Sequence, residues 1–453
     1  MKARGSFVIL IALLLFVLAL SMISCEKDSY TIKFDTQTGT VIDDVIVQEG
    51  DTIAEPQKPY KYAHTFLGWY NGDSKWDFSS KVKGDMTLVA KWEITTYNIT
   101  YEVSTPNEQN QATFTANDLP LRLNMANDGE NGYFVGWELN GQRVRRLVSI
   151  GDATLKAVYV SEPTSLAYEE YDDYVVVTGL LEEANDIIIP ATYNSKPVTK
   201  IAPGAFSGRD NIYSLIILGS VEEIGNDAFK GCTNLQRITL ASTVKVIGDS
   251  AFMNCSSFYE IKIPNGVEYI GVKAFKGCTL LENINLPDSI EFLGEDFNFD
   301  CPNIKYELFT NGEGQDMYLG NWLIEYGDLN ARTAVFKEGT VGIYSYAFYK
   351  MSNLRTVNIP SGVKYIGSHA FFSCYNIKVL TFARDVRYIG MYAFYNLRKM
   401  EKVTIPSTVE VIGMRAFADC FSLVITCEAT QEKPGYANDW HGGREVIFAN
   451  GEN

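Results

Sequence analysis

Cysteine and histidine are the side chains best suited to chemistry here, and the chain has eight of the first and three of the second. Six cysteines (Cys232, Cys255, Cys278, Cys301, Cys374 and Cys420) share one position of a repeating pattern, while Cys25 and Cys427 stand apart. Metal sites favour short Cys-x-x-Cys pairs, and the sequence has none. On neighbouring rungs of stacked strands the α-carbons would lie about 4.8 Å apart, inside the range of about 4.4–6.8 Å that disulfides use. Parallel side-chain directions oppose such bridges. Copies with Met351 and Leu397 at the same position mark it as an apolar slot. Buried free thiols are therefore expected. His64, His369 and His441 lie far apart, and none is at ligand spacing from another His or a Cys. No Gly-x-x-x-x-Gly-Lys loop, Gly-x-Ser-x-Gly elbow or His-Glu-x-x-His helix occurs, and Asn311–Gly314 reads as a turn. A surface hydrolase would need a carboxylate pair, and the repeats supply none. The expectation is a non-enzymatic protein with no metal and no cofactor.

The elements that position these residues repeat. Gly225, Gly248, Gly271 and Gly294 fall at steps of 23, resumed by Gly367, Gly390 and Gly413. Phe206, Phe229, Phe252 and Phe275 follow the same step, then Phe348, Phe371, Phe394 and Phe417. A fixed period in the twenties means a solenoid of stacked coils. One unit runs Val267, Ile270, Gly271, Ala274, Phe275, Cys278, Leu281, Ile284, Leu286, Pro287. Its closing Ile-x-Leu alternates as a short strand. Val-x-x-Ile-Gly is a second extended piece turning at Gly, whose backbone freedom suits a turn. Ala-Phe-x-x-Cys-x-x-Leu suits one tight helical turn or arc. Pro264, Pro287, Pro360 and Pro406 stop the strands. Leu423–Cys427, Trp440 and Val446–Phe448 should close the far end.

This pattern, over about Val198 to Ala429 in nine copies, resembles the BspA-like leucine-rich repeats of bacterial surface proteins. The resemblance implies a mainly β, curved, right-handed leucine-rich-repeat solenoid with a binding role, usually adhesion. The Gly294 copy departs from it, with Phe297-Asn298 in place of Ala-Phe. Lys305 to Gly339 replaces one coil, and Met317–Tyr326 reads as a hairpin around Gly320-Asn321.

Before the solenoid a different repeat runs from Tyr30 to about Tyr159. Tyr30–Phe34 matches Tyr97–Tyr101, Phe66–Trp69 matches Phe134–Trp137, and Thr87–Trp92 matches Thr154–Tyr159. Both copies are strand-rich around an Asn-Gly turn, Asn71-Gly72 or Asn140-Gly141. They resemble the Listeria–Bacteroides repeat (the internalin B-repeat), which implies two small β-grasp-like domains acting as spacer or interaction modules. Each adds roughly 25–30 Å of reach. The second copy departs at Glu138, at Tyr159 and across Val103–Asn127. The expected layout is residues 1–24 leader, 25–95 and 96–160 the two modules, and 161–453 the solenoid with terminal caps and an irregular insertion near 305–339. Ser161–Ser165 reads as a polar linker.

Met1–Arg4 is basic, Phe7–Leu20 is apolar, and Ser24-Cys25 follows. Fourteen apolar residues are too few to span a bilayer, so this is a secretory signal. Ser24-Cys25 resembles the bacterial lipoprotein cleavage box. That implies lipid on Cys25, a membrane partner through that anchor, and a place on the cell surface or the outer face of a bacterial membrane. An ordinary secretory signal with an incidental Cys is the alternative. Net charge −16 argues against nucleic acid, which needs clustered Lys and Arg.

The candidate partner-binding residues come from the coils. Two before each Gly stand Tyr269, Phe292, Tyr365 and Tyr388, expected on the outer face; just after each Phe come Tyr349, Phe372 and Tyr395. Exposed Tyr-rich patches mark binding surfaces, although Tyr and Phe also favour strands. The expected partner is a macromolecule, protein or glycan. A glycan-binding role would place more weight on Trp69, Trp137 and Trp322, of which Trp69 and Trp137 also read as core residues.

Overall fold

The structure, a computed structural model, describes residues 28–103, 109–128, 132–312 and 314–449. Cys25 and the leader lie outside the described residues. Strands and turns make up nearly everything, with a single 3-10 turn among the described residues, at Ala116–Asp118. Two compact units result. The first reaches to Ala126 and includes Trp137–Ala157; the second combines Asn127–Gly136 with everything from Val158.

The first module is a five-stranded sheet in the order Val45–Gln48, Ser29–Asp35, Met86–Ile94, His64–Asn71, Ser74–Lys75. Its first and last long strands run parallel, Ile32 opposite Met86. The second module repeats this order with Thr113–Phe114, Tyr97–Glu102, Ala153–Val160, Tyr133–Leu139 and Gln142–Val144, and Ile99 opposite Ala153. The two copies therefore share one topology despite the weaker second sequence. Trp69 and Trp137 are 1% and 2% exposed, so both are core residues rather than sugar platforms.

In the second unit Val135 packs with Ile188 and Ile216 of the opening coils. Arg237 lies 3.6 Å from Asp128 and over the Phe134 ring at 5.5 Å. Ser161–Ser165 is not a free linker: Ile188 N–H donates to Thr164 Oγ1 at 2.8 Å, and Thr164 N–H donates to the Ile188 carbonyl.

Each solenoid coil contributes to two parallel ladders. One is built from the pairs just before Gly, such as Val246–Ile247 on Tyr269–Ile270. The other is built from strands ending near Pro, such as Thr356–Ile359 on Val379–Phe382. Between them runs an arc of turns, not a helical turn. Two left-handed residues per coil shape it: Asp227, Ser250 and Lys273 two after Gly, and Gly231, Asn254 and Gly277 two after Phe. The repeated glycine itself has no left-handed backbone in this ladder. It is required by close approach instead. A Cβ on Gly271 would sit 2.4 Å from Asp249 N, and one on Gly390 would sit 2.4 Å from Ser368 N, both on the preceding coil. The turn-making role expected of the glycine belongs to the residue two positions later.

The core is a stack of rings. Phe206, Phe229, Phe252 and Phe275 lie 5.0–5.5 Å apart and nearly parallel. Phe348, Phe371, Phe394 and Phe417 repeat this at 4.5–5.2 Å, and Trp440 closes the end. All seven described cysteines are buried and free. The shared slot is more than apolar: each thiol donates to the carbonyl of the preceding coil's Phe, as Cys255 does to Phe229 at 3.1 Å and Cys374 to Phe348 at 2.9 Å. Burial pushes Cys374 and Cys420 up to about 12.

The insertion is a three-stranded antiparallel meander, Glu307–Asn311, Gly314–Leu319 and Trp322–Glu325, which includes the expected hairpin. Its last strand pairs parallel with Gly342–Ile343 and supplies the missing rung of the glycine-side ladder. Tyr326 takes the place of the missing Phe, stacked on Phe348 at 4.4 Å.

Candidate partner-binding edge

The residues proposed from the sequence separate into two groups. Tyr269, Phe292, Tyr365 and Tyr388 do not form an open outer face. Tyr365 is 1% exposed, and its hydroxyl donates to the Leu293 carbonyl at 2.9 Å. Tyr269 stacks on Phe292 at 4.6 Å and Tyr365 on Tyr388 at 4.6 Å, and the two pairs meet edge to face, Phe292 lying 5.6 Å from Tyr388. The meander explains this. It leaves room between the two runs of coils, and large rings fill it. Tyr344 stands where the repeat has Gly; its hydroxyl donates to Gly294 O at 3.1 Å and accepts from Phe297 N–H at 3.2 Å. Trp322 is fully buried and packs on Tyr365 at 5.4 Å. Desolvation raises both Tyr344 and Tyr365. These residues form a splint between half-solenoids, and the outer-face expectation is corrected for them. The residue two before Gly is half-buried where the ladder runs unbroken, as at Val246, and is fully buried at Tyr365 beside the meander.

Tyr349, Phe372 and Tyr395 are brought together as expected, stacked at 5.3 and 4.7 Å on consecutive coils. Beside them runs a column that the sequence pattern does not single out: Tyr346, His369 and Tyr392, at 4.8 and 5.2 Å. Its signal is a 23-residue step hidden by a change of residue type. The columns touch through Tyr346–Tyr349, His369–Phe372 and Tyr392–Tyr395, at 5.4–5.5 Å. Tyr346 is 46% exposed and Tyr349 41%; the other four are half-buried. The Tyr395 hydroxyl donates to the Asp419 carboxylate, and that bond raises the phenol. Desolvation lowers the His369 imidazole, partly opposed by the charge of Glu295.

Tyr346, His369 and Tyr392 have φ of 65°, 58° and 54°. Bulky side chains rarely adopt this left-handed backbone. The same position is left-handed at Asp227, Ser250 and Lys273, so the conformation belongs to the coil and these rings occupy a slot that every coil offers. Ring faces are largely shared between coils, which leaves mainly ring edges on the outside. Among the described residues no group of three or more His, Cys, Asp or Glu could hold a metal ion, and no helix is long and apolar enough to cross a membrane.

Comparison with known proteins agrees with this architecture. The BspA type leucine-rich repeat region matches residues 184–306 and 326–429 in six copies. The chain belongs to the BspA-type leucine-rich repeat family, whose members are bacterial surface proteins. The Listeria-Bacteroides repeat domain matches residues 30–91. A protein of Evansella cellulosilytica, provisionally named a Gly-rich membrane protein, is 41% identical over 81 residues, 17% of this chain and 9% of that protein. A second protein of the same organism, provisionally named a membrane protein, is 40% identical over 83 residues, 17% of this chain and 12% of its own length. The chain thus spans about a tenth of the curated relatives it matches. Among solved structures, a T. pallidum leucine-rich repeat protein is 23% identical with a TM-score of 0.31, covering 58% of this chain and 91% of that one. A leucine-rich repeat protein of Bacteroides ovatus is 24% identical with a TM-score of 0.28, covering 64% and 91%.

Proposed function

We propose that this is a non-enzymatic surface protein, held to a bacterial membrane by lipid on Cys25, that binds a protein partner through the aromatic edge of its second half-solenoid. The two β modules serve as its stalk. One observation carries the reading: six rings in two touching columns, along an edge where the coils of Gly225, Gly248 and Gly271 carry no ring. The glycan alternative loses support, because Trp69, Trp137 and Trp322 are all buried.

The test is a pull-down with residues from Glu26 onward against host matrix and bacterial surface extracts, comparing wild type with Tyr349→Ser/Phe372→Ser/Tyr395→Ser. Loss of the captured partner with an unchanged melting temperature is expected. Full capture by the triple variant would move the site elsewhere. Palmitate labelling lost in Cys25→Ala tests the anchor; labelling that survives would refute it.

A further inference from the structure

A cleft of about 420 Å³ opens on the second half-solenoid, lined by Lys378, Arg398, Lys399, Glu401, Lys402 and Ser422. Four cations face one carboxylate there, on a chain of net charge −16. Some exposed cations elsewhere pair with carboxylates one coil away, as Lys245 does with Glu222, Lys305 with Glu282 and Arg387 with Glu410. Among the described residues none of these four has an ion pair; Arg398 donates to Asn396 Oδ1 at 2.8 Å.

Val379–Phe382 pairs with the strand before it and Lys402–Ile405 with the strand after it, but the two do not pair with each other. Lys378 immediately precedes the first of these separated strands, and Lys402 begins the second. Lys378 and Glu401 fall one 23-residue step apart, whereas Arg398, Lys399 and Lys402 have no carboxylate at that step, so the cleft holds an excess of positive charge that an anion would balance.

Tyr375, Arg398, Phe421 and Arg444 follow at steps of 23 along the same rim. Tyr375 is 42% exposed and Phe421 66%, with the Arg444 guanidinium 5.9 Å from the Phe421 ring. Cationic and aromatic groups thus alternate at coil spacing. Two coils cover about 10 Å, close to one three-residue turn of an extended polyproline II segment, in which residues three apart share a face. Carboxylates three residues apart would reach Arg398 and Arg444, with an apolar side chain on Phe421 between them.

We propose that this cleft binds an acidic, extended peptide segment with interleaved apolar residues. The site uses none of the six aromatic-edge residues and does not depend on them. The test is fluorescence anisotropy of a labelled Glu–Tyr copolymer with the full chain in detergent. Lys378→Gln/Arg398→Gln/Lys399→Gln/Lys402→Gln should bind roughly tenfold or more weakly, with a flatter salt dependence. Removing the same charge at Lys230, Lys245, Lys305 and Arg387 should leave binding near wild type, as should the Tyr349/Phe372/Tyr395 triple variant. Phe421→Ser should weaken the copolymer but not polyglutamate. Undiminished binding by the quadruple cleft variant would overturn the proposal, as would no binding of the copolymer by wild type. Tighter binding of polyphosphate or of a uronic-acid polysaccharide would overturn the peptide assignment.

Discussion

The two half-solenoids share a core and differ at their rims. Inside, both stack Phe on Phe at similar spacing, place a thiol under the preceding Phe carbonyl, and press a Cβ-free residue against the preceding coil. Outside, the positions two after Gly read Asp227, Ser250, Lys273 and Asp296 in the first half but Tyr346, His369, Tyr392 and Arg415 in the second. The positions three further on read Lys230, Met253, Lys276 and Phe299 against Tyr349, Phe372, Tyr395 and Ala418. Both halves carry rim ion pairs, Lys305 on Glu282 at 2.7 Å in the first and Arg387 on Glu410 at 3.2 Å in the second, but the second also gathers four cations around one carboxylate in its cleft. Stacking constrains the core because each coil buries its neighbour, whereas rim side chains owe the stack little. Binding chemistry can therefore be confined to one half of an otherwise uniform frame.

The comparison can be broken at its strongest point by core deletions. Phe252→Ala and Phe371→Ala should each cost about 3–5 kcal/mol in chemical denaturation. A large inequality would show that the halves are not energetically alike. Tyr365→Phe removes one buried hydrogen bond across the splint and leaves the Leu293 carbonyl without it, so a loss of about 1–3 kcal/mol is expected. If calorimetry then separates two transitions, the splint is what joins the halves into one cooperative unit. Alkaline pH sharpens the picture further. Cys374 and Cys420 are held at about 12 when folded, against an ordinary 9. Raised values mean that the folded state keeps its protons. This contribution is complete below pH 9 and is lost as pH climbs toward 12. Cys374→Leu/Cys420→Leu should flatten that decline in urea unfolding curves measured along the pH series. The smallest effect belongs to the rim: Lys305→Gln should change stability by no more than about 0.5 kcal/mol, since exposed ion pairs contribute little.

Much of this is legible in the residue order. The 23-residue step, the buried thiols, the hairpin at Gly320-Asn321 and the closing role of Trp440 follow from spacing and residue type alone. The paired β modules are equally readable, because Phe66–Trp69 and Phe134–Trp137 recur in the same strand context. Residue order misleads where one residue type has two physical uses. Spacing makes Gly271 a turn former, yet a Cβ there would lie 2.4 Å from the backbone of the preceding coil, so crowding is the reason for the glycine. Spacing likewise puts Tyr365 outside, because its counterpart Val246 lies in an unbroken ladder; next to the meander the same position faces another run of coils.

The sequence alone determined the stacking register, since a coil of fixed length can bury its apolar side only against copies of itself. The tertiary structure decided which aromatic rings remain outside. Exposure depends on what the chain brings back from a distance: Leu293 and Tyr365 are 72 residues apart yet hydrogen-bonded. No local pattern carries that information.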